Sequence, residues 1–575
     1  MYLATKDYEQ FQVLDADGRV CAERSLRERK ACTPQRGVLA EFAGAGLAGR
    51  AFPGDEVRLA LGSADGGAEL VARKTDKLFL VGTLELNSKS RYGITSRGVL
   101  RYKFLPYDES YPPFFVGCTQ KDTSRNLLVR IQFDSWPADS TCPIGVLVQT
   151  FGPAGDLAAE EEALLGFYGP VRWRREDVPA FPSGQLPPLA EGSGMPCVNS
   201  TGLLTFHVDP PGCHDIDDAI SFKPMAAMSG EFLGHLVKIH IADVTSWLRA
   251  YPQLAGLASA AGQTLYRDGV AVRPMFPAAL SEGGMSLLPG APRRAWTLNF
   301  LWNHGQRQGN PWWTFEEIIV KVSYTYDSVI GSPQAELLEA VASGLAGRPL
   351  GPDSHAWIEA MMLFYNLEAA ATLKGGAGGA GVLRRHAAPD LARLEEMRAL
   401  GLPAERLAMR AGEYCGAQEE DTVHWGLGAA AYCHASSPIR RWADCLNQAA
   451  LAAILEGGVA GATPSQEVAA LNAAGRRAKR YERDLSYVRA LLGRAIGQTH
   501  EGIVVEPAQQ SRDGMAKAEP GRIWVPYLER VVRCGSSETA GLQPGTAVSC
   551  RFFADPSRRN WKQRLVVRAE PVYEN

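Results

Sequence analysis

Short alternating runs broken by turn residues fill both ends of this chain, and long helical stripes occur only after residue 356. That contrast constrains the fold more than any single motif. Residues 1 to about 75 carry strand-like stretches such as FQVLDADGRVCAE, GVLAEFAG and DEVRLALG, punctuated by Asp17-Gly18 and Pro53-Gly54-Asp55. Residues 78 to about 152 repeat the pattern in LFLVGTLELNS, RYGITSRGVLRYKFLP, LLVRIQFDSW and GVLVQTF. β-Branched and aromatic residues fit a pleated, half-buried surface. Short strands at such close spacing suit small closed barrels. The same texture returns from about 498 in HEGIVVE, GRIWVPYLERVV, AVSCRFFA and QRLVVRAEP.

The middle of the chain differs. LLTFHVD and HLVKIHIAD read as strands, while 356–373 and 438–456 read as helices. A third helix is predicted from Thr463-Pro464-Ser465-Gln466, with threonine as N-cap, proline at N1 and glutamine at N3. Its stripe runs Val468, Leu471, Ala474, Ala478, Tyr481, Leu485, Val488, Leu492. A helix is also predicted over 157–166, and the Pro-rich 178–196 reads as a linker. At ~150 residues per domain, the 575-residue chain suggests three or four domains. The expected plan is barrel, barrel, large α/β unit, barrel.

Composition excludes several classes. The net charge is −3, so the chain is not a nucleic-acid binder by overall balance, although a local basic channel remains compatible. Eleven cysteines with no C-x-x-C pair argue against a disulfide framework or zinc ribbon. The opening MYLATKDYEQ lacks a basic segment followed by an apolar one, and no apolar run reaches the ~18 residues of a membrane span. A cytoplasmic or other reducing intracellular compartment, organelles included, is expected; secretion and membrane insertion are not.

The densest chemistry lies in DPPGCHDIDDAISF, where Asp209, Asp215, Asp217 and Asp218 fall between two predicted strands. Oxygen-only donors suit hard cations such as Mg2+ or Mn2+. Converging carboxylates fit one or two metals of the kind used in phosphodiester cleavage. An EF-hand reading fails for want of its glycine and its final glutamate. An exposed acidic turn is the competing reading of the loop alone. Farther along, HASSPIRRWADCLNQAAL offers Ser437 as N-cap, Pro438 at N1 and Arg440 in the first turn, where an arginine can fork onto a phosphate. GRRAKRYERDLSYVR sets Arg476, Arg477, Lys479, Arg480 and Arg483 on one helix, either as a solvated face or as a track for an RNA backbone.

Taken together, these segments resemble the RNB family of exoribonucleases, the ribonuclease II, ribonuclease R and Dis3 group. The acidic loop is similar to its active-site signature. HIADVTSWL, TLYRDGVAVRPMFPAALSEGGMSLLPG, VSYTYDSV, VLRRHAAPD, HWGLGAAAYCHASSPIRRWAD and YERD follow in the family's order. The resemblance implies a divergent OB, cold-shock-like barrel over 1–75 and a second, Dis3-like one over 76–177. A linker over 178–199, an RNB catalytic domain over 200–495 and a degenerate S1 barrel over 498–575 complete the expected layout. It also implies site roles: Asp209, Asp215, Asp217 and Asp218 as metal-site carboxylates, with Asp217 most tied to chemistry, and Arg440 and Glu482 as catalytic partners. Tyr266 and Tyr326 would contact RNA, as would Arg476, Arg477 and Arg480 of the basic helix.

The implied activity is hydrolytic, metal-dependent 3′-to-5′ degradation of single-stranded RNA to nucleoside 5′-monophosphates by a monomer using Mg2+ or Mn2+. The alternative is an RNB-scaffold RNA-binding protein with weak or no activity. Two departures stand out. The stretch between VSYTYDSV and the helix near 356 is shorter than the family's, and Asn447-Gln448 replaces a His-Arg pair, putting local packing or a phosphate contact in question.

Overall fold

In a computed structural model the described residues are 2–572, apart from 6–9, 15–19, 26–29, 34–36, 42–49, 53–54, 60–67, 74–76, 181–185, 190–195, 228–231, 377, 410, 494–495, 509–519, 536–538 and 555–564. For most of the chain before residue 70 only the backbone course is described. The chain divides into two compact units, Gly169–Glu482 and the combination of Met1–Tyr168 with Arg483–Asn575.

The flanking unit is nearly all β. Seven strands between Tyr2 and Ala72 form one antiparallel sheet; among the described residues its pairing is open, not the closed barrel expected over 1–75. The next five strands, from Phe79–Leu84 to Ile144–Pro153, do close into a barrel around Leu84, Phe104, Phe114, Val116 and Ile131. The predicted helix follows as Leu157–Tyr168, laying Ala159 and Ala163 against Val81 and Leu128. A second closed five-stranded barrel runs from Thr499–Glu506 to Leu565–Pro571 around Val504, Ile523, Val548 and Phe552. Burying alternate apolar residues inside a closed sheet satisfies every edge, which is why sequences of this texture close.

The other unit is built on a six-stranded sheet. Its strand order is Cys197–Asn199, Gln306–Tyr324, Thr205–Val208, Asp218–Ala226, Phe232–Ala242, Pro292–Asn303. Gln306–Tyr324 is 19 residues long. Its first part pairs with Pro292–Asn303, and its last part runs parallel to Thr205–Val208. One strand thus bridges both ends of the sheet. The expected 178–199 linker therefore ends in a strand.

The helix Ser354–Gly375 covers one face. It is capped by Asp353, whose carboxylate accepts the Ala356 N–H, and it buries Trp357, Met361, Tyr365, Ala369 and Leu373 at four-residue steps. These pack on Phe206, Ile220, Val237, Ile239, Leu298 and Phe300. The shortened stretch before this helix folds as Tyr326–Ile330 and Ala335–Ala346.

Two helix starts differ from expectation. The second long helix begins at Trp442 rather than 438, because 437–440 is a turn whose Ser437 N–H donates to Asp444 Oδ1. The third spans Ser465–Leu492. The Thr463 hydroxyl donates to the Gly381 carbonyl instead of capping that helix.

Candidate active site

The acidic loop joins the ends of two central strands. Asp209 follows Thr205–Val208, and its N–H donates to the Tyr324 carbonyl. Pro210–Cys213 then turns back, with the Cys213 N–H on the Pro210 carbonyl and Gly212 at φ 78°. Ser286 clips the loop from the far side, donating to the His214 carbonyl and accepting the Ile216 N–H. Asp218 opens the next strand. The loop is therefore a pinned bend that carries its carboxylates in fixed backbone positions.

Each carboxylate has a different partner. Asp217 is buried at 2% exposure. Its Oδ1 accepts the Ile439 N–H at 2.8 Å and its Oδ2 accepts Arg440 Nε at 2.9 Å. Asp209 Oδ2 lies 2.9 Å from His207 Nδ1, and His207 Nε2 meets Ser323 Oγ at 2.8 Å. Asp215 accepts the Tyr266 hydroxyl, with the Cys213 thiol 3.3 Å from its other oxygen. The Asp218 carboxylate accepts no hydrogen bond among the described residues.

Electrostatics separates them further. Burial raises the Asp217 carboxyl and Arg440 and the Ile439 N–H oppose it, leaving it at about 7. Arg440 is desolvated too, yet Asp217 holds its pKa above the ordinary value. A guanidinium does not give up its proton, so Arg440 is charged at neutral pH and its attraction favours the ionised form of Asp217. Asp218 is driven well above the carboxylate range by burial and then by Asp209 and Asp217. Asp209 and Asp218 thus form a like-charged pair with too little positive charge around it.

Arg440 faces outward. Its side chain is 45% exposed, although Nε is committed to Asp217 and Nη2 reaches Ser437 Oγ at 3.2 Å. The Arg440 carbonyl accepts the Thr264 N–H, tying this turn to the hairpin Leu265–Arg267/Val270–Arg273 that carries Tyr266. Asp268 and Gly269, at φ 53° and 79°, form the two-residue hairpin turn. That Asp-Gly pair was the sequence signal for the hairpin, and it was missed. Tyr326 sits beside the same carboxylates: burial, then Asp218 and Asp209, raise its phenol to about 12. Its ring stacks on His355 with centroids 3.6 Å apart.

Other expected residues fall elsewhere. Arg477 donates to the Ala260 and Ala261 carbonyls, closing the end of helix Gln253–Ala261, so its guanidinium has a structural partner. Arg476 and Arg480 are exposed. Glu482 is exposed and makes no hydrogen bond or ion pair among the described residues. The Asn447 and Gln448 departures are resolved by packing. Asn447 is fully buried and bridges the Val382 backbone and the His434 carbonyl. Gln448 accepts the Val244 and Thr245 N–H groups and donates to the Ala242 carbonyl.

Whether the carboxylates fit a cation is decided by their partners. Among the described residues no three His, Cys, Asp or Glu side chains converge closely enough to hold an ion by themselves. The expected four-carboxylate cage is therefore not pre-assembled: Asp217 is turned onto Arg440 and Asp215 onto Tyr266. Asp209 and Asp218 remain, an all-oxygen pair with excess negative charge. This fits Mg2+ chemistry, in which one or two carboxylates share the ion with water and substrate phosphate.

The site thus sets pinned carboxylates at strand ends beside an outward-facing arginine. Residues 198–330 and 348–457 match the RNB domain, and residues 101–169 match the Dis3-like cold-shock domain 2. An RNB-family domain is thus present in the central part of the chain. It is 24% identical over 456 residues to the exosome complex exonuclease RRP44 of Homo sapiens, covering 64% of this chain and 46% of that protein. The chain spans about half the length of the curated relatives it matches. Among solved structures, the apo form of Mycoplasma genitalium RNase R aligns at TM-score 0.67 and 16% identity over 99% of both chains. Yeast Ssd1, described as a pseudonuclease, aligns at 0.60 and 16% identity over 93% of this chain and 79% of its own. At these identities the likeness establishes a shared fold.

Proposed function

We propose that this chain is a hydrolytic, metal-dependent 3′-to-5′ exoribonuclease that degrades single-stranded RNA to nucleoside 5′-monophosphates. The observation that carries the reading is the Asp217–Arg440 pair, in which a buried carboxylate aims a half-exposed guanidinium out of an acidic bend. Arg440 donates to a non-bridging oxygen of the terminal phosphodiester, where negative charge grows as water attacks phosphorus. The new P–O bond forms to the water oxygen. The bond to the 3′-oxygen breaks, and the water proton ends on that leaving oxygen. Asp217 keeps Arg440 in place and charged throughout. Donors fixed before the reaction lose nothing to reorganisation, and removing one such donor typically costs about 100–1000-fold in rate.

Asp209 and Asp218 would hold Mg2+ or Mn2+, with Asp215 completing the set through Oδ1, in place of its contact with the Cys213 thiol. A bound divalent ion would activate water and neutralise charge on the phosphate. Tyr266 orients Asp215, and the Tyr326 ring, backed by His355, offers a stacking face that any base can use. The open N-terminal sheet as a divergent cold-shock-like module and the C-terminal barrel as an S1 module belong to this reading, as single-strand grips.

The test is digestion of a 5′-labelled single-stranded RNA in Mg2+ and in Mn2+, with Asp217→Asn beside the wild type. The reading expects stepwise shortening, nucleoside 5′-monophosphate products and a loss of at least 100-fold in the variant. RNA left intact by the wild type but still bound would identify the inactive scaffold instead.

A further inference from the structure

Outside the acidic site, the Gly169–Glu482 unit carries a cleft of about 430 Å3 lined by four arginines, Arg172, Arg174, Arg175 and Arg273. In a chain of net charge −3 that is a marked local excess of positive charge. Three of the arginines lie in the segment directly after the Dis3-like cold-shock match, which ends at residue 169. The fourth, Arg273, is on the Tyr266 hairpin.

The walls are firm. Trp173 donates its indole N–H to the Met275 carbonyl at 3.0 Å and packs against the core beneath the acidic loop. Pro274 and Pro277 stiffen the facing wall. The Arg174 N–H donates to Asp177 Oδ2, closing a turn, and the Arg174 side chain pairs with Glu176 at 3.0 Å. That pair is over 70% exposed on both sides, so it exchanges readily for a phosphate. Arg172 and Arg175 are exposed and form no ion pair among the described residues.

The cleft is also close to the chemistry. Arg273 sits directly across the hairpin ladder from Leu265, the residue before Tyr266, whose hydroxyl is on Asp215. Paired residues on an antiparallel ladder are about 5 Å apart at Cα. One strand of this small hairpin therefore touches the acidic site and the other lines the arginine cleft.

We propose that this cleft binds the phosphodiester backbone of single-stranded RNA upstream of the nucleotide held at the acidic site. Guanidinium forks match phosphate oxygens in geometry and charge, and contacts of this kind set position without reading sequence. The proposal rests on the exoribonuclease reading only for the location of the 3′ end. Binding itself needs no turnover.

The test uses the full chain and two oligoadenylate RNAs, a 4-mer and a 16-mer. Binding is read by fluorescence anisotropy in EDTA and turnover in Mg2+, for wild type and for Arg172→Glu/Arg175→Glu. The variant is expected to bind the 16-mer at least tenfold more weakly, with a log–log salt slope shallower by about 1.4, two lost contacts at ~0.7 each for a single strand. Binding and turnover of the 4-mer should not change. Arg172→Gln/Arg175→Gln should fall between the two, and a thermal melt matched to wild type excludes misfolding. Unchanged 16-mer affinity in a folded variant overturns the proposal, as does an equal loss on the 4-mer, and so does a wild type that binds no RNA. A wild type that binds the 16-mer through these arginines but cleaves neither RNA would defeat the exoribonuclease reading alone. Competition of the 16-mer by AMP as well as by RNA would assign the cleft to a single nucleotide and overturn the backbone assignment.

Discussion

The same central sheet holds buried charge in two places, and they behave in opposite ways. In the sheet interior Lys238 Nζ lies 2.5 Å from Glu316 Oε1, which also accepts the Thr314 hydroxyl. His240 alongside is bonded to Ser221 and Thr297, and Ser221 to Thr205. Burial pushes Glu316 up, but His240, Lys238 and Thr314 together bring it below its usual range. This cluster supplies its own counter-charge. At the acidic bend, burial and then Asp209 and Asp217 raise the proton affinity of Asp218, and Arg440 makes its hydrogen bond to Asp217. Charge that is balanced within the fold is structural. Charge left in excess needs something from outside, here a cation and a phosphate.

That contrast can be broken in three ways. Lys238→Met leaves Glu316 buried and unpaired and should cost about 3–5 kcal/mol of unfolding free energy by urea titration, whereas Lys238→Met/Glu316→Leu should recover most of it. His240 gives the next effect. Burial, with Lys238 adding to it against Glu316, lowers its pKa from 6.5 to about 4. The unfolded chain takes up the proton below pH 6.5 and the native state only below about 4. His240 should therefore contribute its full stability above pH 6.5 and lose about 3 kcal/mol of it as pH falls to 4. The difference in stability between wild type and His240→Gln, followed from pH 7 to 4, should shrink over that window; a flat difference would mean His240 is not held neutral. The smallest effect has the opposite sign. In EDTA, Asp218→Asn removes one of two repelling carboxylates and should raise the thermal midpoint slightly. A fall would mean that Asp218 is internally compensated like Glu316.

Much of this was legible in the sequence. The acidic residues stood out because like charges seldom crowd between two strands without cause, and the β-rich ends followed from alternation and turns, although among the described residues the strands before Ala72 pair as an open sheet and not as the expected barrel. The pairing of Asp217 with Arg440, 223 positions apart, follows from no local pattern; only the family's motif order brought the two segments into one site. The start at Trp442 was hidden because Ser437 and Pro438 carry a proper capping signal, which a tertiary contact to Asp444 overrides. Arg477 looked like its exposed neighbours on the basic helix, and only packing against Gln253–Ala261 shows its carbonyl partners. Asn447 and Gln448 looked like losses. They are buried clips, because amides can satisfy backbone donors and acceptors at once.

The most direct measurement of the central claim is a Mn2+ titration followed by electron paramagnetic resonance, on wild type, Asp209→Asn/Asp218→Asn and Lys238→Met/Glu316→Leu. Saturable binding by the wild type and the interior variant, lost in the Asp209/Asp218 variant, is the predicted result. Equal binding by all three, or none by the wild type with or without RNA, would contradict the assignment of the uncompensated carboxylates as the cation site.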